Sequence, residues 1–292
     1  MNASETHIVD YSNLFTVIGI ISVIFYILTI IETIYDVSTM RRTGWQQTLA
    51  NVTIEIGNRV LDNTIIGAIF LIGFLVTEQF AFSEIPVNWW TWVLVIICVD
   101  FTYYWMHRVE HQVRILWAGH SVHHSSQEYN LSTALRLSWV ESLYEWMFFI
   151  PLLLVGFDAI QILASLLIVV VYQTWIHTEK IGRLGWLEGI LNTPSVHRVH
   201  HAINATYIDK NYGGMLIIWD RLFGTYQCET ETPIYGITRQ LDSANPLVIN
   251  FQEFGSVYKD VMQTKGAFNK VSYAFQRPGW KPNDGNLKTT DD

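Results

Sequence analysis

Leu14–Ile34 is a run of aliphatic and aromatic residues with no Lys or Arg, and further apolar runs follow at Ile65–Phe82, Trp89–Trp105, Val140–Val155 and Ala159–Ile176. Crossing about 30 Å of hydrocarbon takes about 20 apolar residues in helical form. In lipid each backbone N–H and C=O must be bonded internally, so such runs predict helices rather than isolated strands. The expected fold class is therefore all-α: a polytopic membrane protein with four to five transmembrane helices. Composition agrees, with 50% apolar residues, 15% charged and twelve Trp. Glu78 and Gln79 interrupt the second run, Trp89 and Trp90 open the third as an interfacial belt, and Gly156-Phe157-Asp158 makes a turn between the last two. Glu141 and Glu145 make the fourth run the weakest span.

The eighteen Lys and Arg set the orientation. They fall after the first span (Arg41, Arg42, Arg59), between Arg108 and Arg136, and from Lys180 onward. Residues 1–40, 78–89 and the turn near 156 have none. The positive-inside rule puts all three basic groups on the cytoplasmic side, with the N-terminus outside and the C-terminus inside. The N-terminal stretch has no basic residue ahead of its apolar run and no small-residue cleavage site after it, so it does not read as a cleavable signal. Trp45, Leu49, Val52, Ile56 and Val60 recur at helical steps, as do Phe251, Phe254, Tyr258 and Val261. Each face suits either the headgroup plane or packing against a cytoplasmic cap. The net charge of −8 gives no basic surface for nucleic acid. Cys98 and Cys228 read as free thiols, and the tail after Pro278, closing on Lys288–Asp292, reads as disordered.

Nine of the ten histidines lie between 107 and 201. His107 and His111 form HxxxH; His120, His123 and His124 form HxxHH, as do His197, His200 and His201. Residues three or four apart share a helix face, so each motif aims its imidazoles one way. The nine-residue step from His111 to His120, two and a half helical turns, places the first two motifs on separate helices. His177, at the end of the fifth run, completes a set of nine. That is too many for one ion and suits two, and a structural zinc site would close at four ligands, usually with thiolates. Imidazole alone does not choose among Fe, Cu, Ni and Zn. Asp100, Tyr104, His107 and His111 form one stripe, so Asp100 is expected to orient a ligand imidazole from behind. Gln173, one turn before His177, is expected either to support a ligand or to make an interhelical hydrogen bond. Glu110, Glu141, Glu145 and Glu179 are lesser candidates for the same supporting role, with Glu110 and Glu179 read as solvated. His7 stands apart as a surface residue.

Three histidine motifs at the cytoplasmic ends of apolar runs resemble the fatty acid hydroxylase/sterol desaturase superfamily. Trp117–Ser126, Glu128–Ser132, Ala134–Arg136, Asn192–His201, Tyr207–Tyr212 and Trp219–Thr225 resemble its alkylglycerol monooxygenase branch in particular. The resemblance is strong over about 95–230 and weak as far as Pro278-Gly279-Trp280. It implies a single membrane-embedded domain over 1–292, with a cytoplasmic helical cap. It also implies two iron ions held by the nine histidines, and O2-dependent hydroxylation of a membrane lipid. The reductant implied is tetrahydrobiopterin, other branches using an external cytochrome or ferredoxin. Val196 stands where that branch often has another histidine, and animal members continue past this point with further membrane helices. Either a bacterial inner membrane or the endoplasmic reticulum would suit. A sterol or fatty-acid hydroxylase or desaturase remains an alternative, because the ligand set is shared. A metal transporter or sensor is a second, against which the one-sided placement of the histidines counts.

Overall fold

The computed structural model describes residues 12–39 and 45–282. His7, Arg41, Arg42 and residues 283–292 lie outside them, while the first residues of the tail after Pro278 are ordered, Trp280 N donating to Arg277 O and the Trp280 ring meeting that of Tyr273. The fold is helical, and no strand occurs among the described residues, which hold only two isolated bridges, Leu191 with Leu216 and Ala202 with Tyr235.

Helix α1, Ser12–Ser38, is 27 residues long and buries only Phe25, Thr29, Glu32 and Asp36. Ile20, Ile24, Ile27, Ile30 and Ile34 are each more than half exposed. A helix at a water surface does the opposite, turning its apolar stripe inward. Helix α1 is apolar and long enough to cross a membrane, and its polar stripe lies against the protein. The buried carboxylates find donors there: Glu32 accepts from Leu131 N and Thr178 Oγ1, each at 2.6 Å, and Asp36 pairs with Lys180.

Helices α2 (Trp45–Asp62) and α3 (Ile65–Glu78) are bent by 50° at the break between them and together pass the same test of length and hydropathy. In α2 the predicted face Trp45, Leu49, Val52, Ile56 and Val60 points outward, while Asn51, Glu55 and Asn58 are buried. Asn51 donates to Ser132 Oγ and Asn58 to Ser138 O. Of the two sequence readings for this face, packing on the cap is therefore excluded. The second apolar run stops being helical at Glu78, four residues early, because Glu78 turns to accept from Ala159 N at 2.8 Å.

Helix α4, Trp89–Gln112, opens on an Asn88–Thr91 capping box and carries Asp100, Tyr104, His107 and His111 on its buried face. Val113 is extended, which ends α4 and starts α5, Arg114–His124, in a new direction. The fourth apolar run is helical over Ser142–Val155, shorter than a full span and irregular in its middle turn. It runs without interruption through α6 (Ser142–Glu145), a 3-10 turn at Trp146–Phe149, and α7 (Ile150–Val155), with Pro151 in the first turn of α7. The turn after it forms as expected. Gly156 has φ +109°, and a Cβ there would lie 2.1 Å from Ser83 O. Asp158 caps α8, Ala159–Thr174, by accepting from Gln161 N. Phe74, Val95, Val99, Phe149, Leu153 and Ile162 pack α3, α4, α7 and α8 into one core.

The remaining helices are α9 (Pro194–His200), α10 (Ile218–Phe223), α11 (Pro246–Gln263) and α12 (Ala267–Phe275). Arg114 donates to Asp260 and Glu253, which fastens α5 to α11. Phe251 and Tyr258 of α11 are exposed, while Ile249, Asn250 and Val257 are its buried side. Both cysteines are free.

Candidate metal centre

The end of α4, helix α5, the residues just after α8, and α9 converge. All nine histidines from His107 to His201 are buried there, none more than 8% exposed. Their ring nitrogens form two groups. His107, His111, His120, His124 and His200 make a set of five, and His123, His177, His197 and His201 a set of four, with one ligand atom from each lying within 4.8 Å of the others in its group. Each HxxHH motif is divided between the groups. In α5, His120 and His124 serve the first and His123 the second; in α9, His200 serves the first while His197 and His201 serve the second.

The Nδ1 atoms look outward to acceptors. His107 Nδ1 donates to Tyr212 O at 2.9 Å, His177 to Gln173 O at 2.7 Å, His200 to Lys210 O at 2.9 Å and His123 to Arg136 O at 3.3 Å. His120 Nδ1 lies 3.0 Å from Glu141 Oε1 and 3.6 Å from Glu110 Oε2. A carbonyl or carboxylate oxygen can only accept, so in these rings the hydrogen sits on Nδ1 and the Nε2 lone pair points inward. Inside, Nε2 of His107 and His120 approach to 3.0 Å, and Nε2 of His123 and His177 to 3.2 Å. His111 Nε2 and His200 Nε2 are buried without a hydrogen-bond partner. Lone pairs converging on one point repel unless a cation lies between them, so this donor set fits a metal ion in each group. Burial pushes His123, His124, His197, His200 and His201 well below the usual histidine range, and His120 down to about 3. The rings are therefore neutral at pH 7, the form that binds metal.

The supporting residues differ from the expectation. Asp100 does not reach an imidazole. Its carboxylate accepts from Met215 N at 2.6 Å, Leu216 N at 3.2 Å and Trp219 Nε1 at 2.8 Å. Asp220 accepts from Tyr212 N and Gly213 N, each at 2.8 Å. Together the two acids hold the 212–219 segment so that Tyr212 O meets His107. Gln173 supports His177 through its backbone carbonyl, while its side chain bonds Val169 O and Tyr103, the interhelical alternative. Glu110, read as solvated, is 1% exposed and faces His120, because the helical step from His107 and His111 turns it inward. Glu179 is exposed as expected, and Glu145 is half-buried beside Glu110 and Glu141. Glu141 is the carboxylate that meets a ring nitrogen.

Sequence reasoning passed over Glu32 and Arg136. The rule that drew attention to Asp100, an ionisable residue within an apolar run, applies equally to Glu32. Arg136 is fully buried and donates to Val122 O, Ser125 Oγ, Gln47 Oε1 and Asn51 Oδ1, while its carbonyl takes His123. No spacing signal announced it.

A cavity of about 200 Å³ opens onto His111 and His200 of one group and His201 of the other. Trp117, Asp209, Thr238 and Arg277 stand around it, with Ile203, Ile208 and Ile237 on its apolar side.

A family model described as fatty acid hydroxylase matches residues 92–225, which contain all nine histidines. The chain is similar to alkylglycerol monooxygenase of Homo sapiens, 49% identical over 196 residues, which is 66% of this chain and 43% of that protein. The same named enzyme of Xenopus tropicalis is 48% identical over 196 residues, 66% of this chain and 43% of the relative. That of Danio rerio is 46% identical over 211 residues, 70% and 46% respectively. The chain thus spans less than half the length of these relatives. No solved structure matches.

Proposed function

Residues 92–225 are a fatty acid hydroxylase-family domain similar to alkylglycerol monooxygenase, and from that premise we propose that the chain is a membrane di-iron lipid monooxygenase. One ion is held by His107, His111, His120, His124 and His200, the other by His123, His177, His197 and His201. The observation that carries the reading is the division of nine buried imidazoles into two groups with inward lone pairs. Iron bound there supplies activation of O2 toward an unactivated C–H bond.

The protein's own part is positional. The carbonyls of Tyr212, Lys210, Arg136 and Gln173 and the carboxylate of Glu141 fix ring tautomer and direction. Burial of the nine rings limits water around the reacting carbon. The substrate is a 1-O-alkylglycerol or an alkyl-lysophospholipid. Hydroxylation of the carbon beside the ether oxygen gives a hemiacetal, which separates into fatty aldehyde and glycerol. One oxygen atom of O2 enters the lipid and the other leaves as water, with two electrons and two protons from an external reductant. Tetrahydrobiopterin is the reductant in this reading.

The apolar exposed faces of α1 and α2 support residence in a membrane; the four to five crossings, with the histidines on the cytoplasmic side, are the reading drawn from the apolar runs and the basic residues. A reporter joined after Asp292 should read as cytoplasmic. For the activity, membranes containing the protein receive 1-O-hexadecylglycerol, iron, O2 and either tetrahydrobiopterin or a ferredoxin system. Hexadecanal is the expected product. Hydroxylation of a sterol or acyl lipid with no aldehyde from the ether would assign the chain to another branch of the superfamily.

A further inference from the structure

The carbon attacked in an alkylglycerol is one bond from the ether oxygen, and the glycerol begins on that oxygen's other side. Wherever the alkyl tail lies, the two free hydroxyls must therefore sit within a few ångströms of the metal ligands. The cavity at the histidines has few polar side chains that are not ligands: Asp209, Thr238 and Arg277. Asp209 approaches a ligand ring, its Oδ1 lying 3.8 Å from Nδ1 of His111. We propose that Asp209 is the specificity-determining residue of this cavity, its carboxylate accepting hydrogen bonds from the vicinal hydroxyls of the lipid's glycerol, with Ile203, Ile208 and Ile237 taking the first carbons of the alkyl chain. The proposal rests on the ether-lipid reading for the identity of the headgroup.

Three features support it. Asp209 is 44% exposed at the cavity, so that part of its carboxylate faces solvent even though Tyr212 and the Arg277 guanidinium stand beside it. Its backbone is left-handed, φ +61°, an uncommon conformation for a residue with a side chain, which aims it from the 208–210 turn toward the cavity. An acceptor that discriminates a hydroxyl from a hydrogen gains more selectivity than any apolar contact can, because its loss leaves a polar group unpaired.

The experiment is equilibrium binding by calorimetry to the full-length, iron-loaded protein in detergent. The two ligands are 1-O-octylglycerol and octyl propyl ether, the same skeleton without the hydroxyls. Asp209→Asn keeps the size, and Asn is also favoured at positive φ, so the turn is retained. The variant should bind octylglycerol about tenfold or more weakly, as for loss of a hydrogen bond to a charged group, and should bind octyl propyl ether as the wild type does. Equal weakening for both ligands, or no weakening for octylglycerol, would overturn the proposal. So would a raised KM for the pterin with octylglycerol binding unchanged, which would make the cavity the reductant's. If the wild type binds octylglycerol through Asp209 yet forms no octanal, the headgroup site stands and ether cleavage fails. If it forms octanal while Asp209→Asn binds octylglycerol normally, the reverse holds.

Discussion

Oε1 of Glu141 lies 3.0 Å from Nδ1 of His120, on the side of the ring turned away from the other imidazoles. Oε2 of Glu141 is also engaged, accepting from Ser138 N. A carboxylate in this position holds the hydrogen on Nδ1 and makes Nε2 a better donor to a metal. Glu141→Gln should keep the hydrogen bond in weaker form, and Glu141→Ala should remove it. The expected loss is about tenfold to a hundredfold in metal affinity or activity for the Ala variant, and less for Gln. Metal titration of both variants, with His120→Ala as the limit, checks the order.

The two histidine groups predict separable metal loss. His200→Ala should remove about one ion per chain from the group of five, and His123→Ala about one from the group of four. Either change should abolish turnover while leaving the protein in the membrane. Combining His124→Ala with His201→Ala should strip both groups. Metal analysis against protein concentration reads this directly, and full activity in the double variant would sink the two-ion arrangement.

Neutral buried imidazoles also set a pH dependence. Their pKa values in the fold lie below the ordinary 6.5, so above that pH neither the folded nor the unfolded chain protonates them and they are neutral to stability. As pH falls below about 6.5 the unfolded chain takes up protons that the fold refuses, and stability declines with each step. Protons compete with metal in the same range. Helical circular dichroism and retained metal should therefore both fall between pH 6.5 and 5, and chelation should steepen the decline.

The histidines were legible because ligand chemistry demands a residue type, and helical spacing then fixes which face it occupies. Their division between two groups was not, since it depends on where the break at Val113 redirects α5 and where α9 docks. Asp100 shows the same limit. Its presence in an apolar run marked it out, but its partner is the Met215–Trp219 segment, more than a hundred residues away, which no periodicity reveals. The fourth run is helical only from Ser142 and tightens to 3-10 at Trp146–Phe149, and its opening residues Glu141 and Glu145 lie beside Glu110 of α4, a contact that no periodicity reveals.

Asp100 therefore yields a stability prediction rather than a catalytic one. Asp100→Ala would leave Met215 N, Leu216 N and the Trp219 indole without an acceptor in a buried place. The cost should be about 3 kcal/mol or more, with misplacement of Tyr212 O and reduced metal retention in the group of five. Gly214→Ala attacks the same clamp sterically, since its Cβ would lie 2.9 Å from Asp100 Oδ1 and 2.8 Å from Val169 Cγ1. Thermal unfolding in detergent should report both.

Glu32 gives the last prediction, because it ties the outermost helix to the metal centre. One carboxylate oxygen accepts from Leu131 N, at the start of the 3-10 turn that leads to Arg136, and Arg136 O takes the hydrogen of His123 Nδ1. The other accepts from Thr178 Oγ1, on the residue next to His177. His123 and His177 belong to the same group of four. A single side chain of α1 thus holds two of that group's ligands in register, while Asp36 and Lys180 secure the same segment one turn further along. Glu32→Gln can still accept from either donor, though without charge, whereas Glu32→Ala leaves both unpaired. Loss of the alanine variant's metal should be confined at first to the group of four, so metal content should approach one ion per chain while the group of five remains loaded. The glutamine variant should retain both ions and most activity. A merely structural role would instead lower expression and both ions together, and equal metal loss from the two groups would exclude the link from Glu32 to His177.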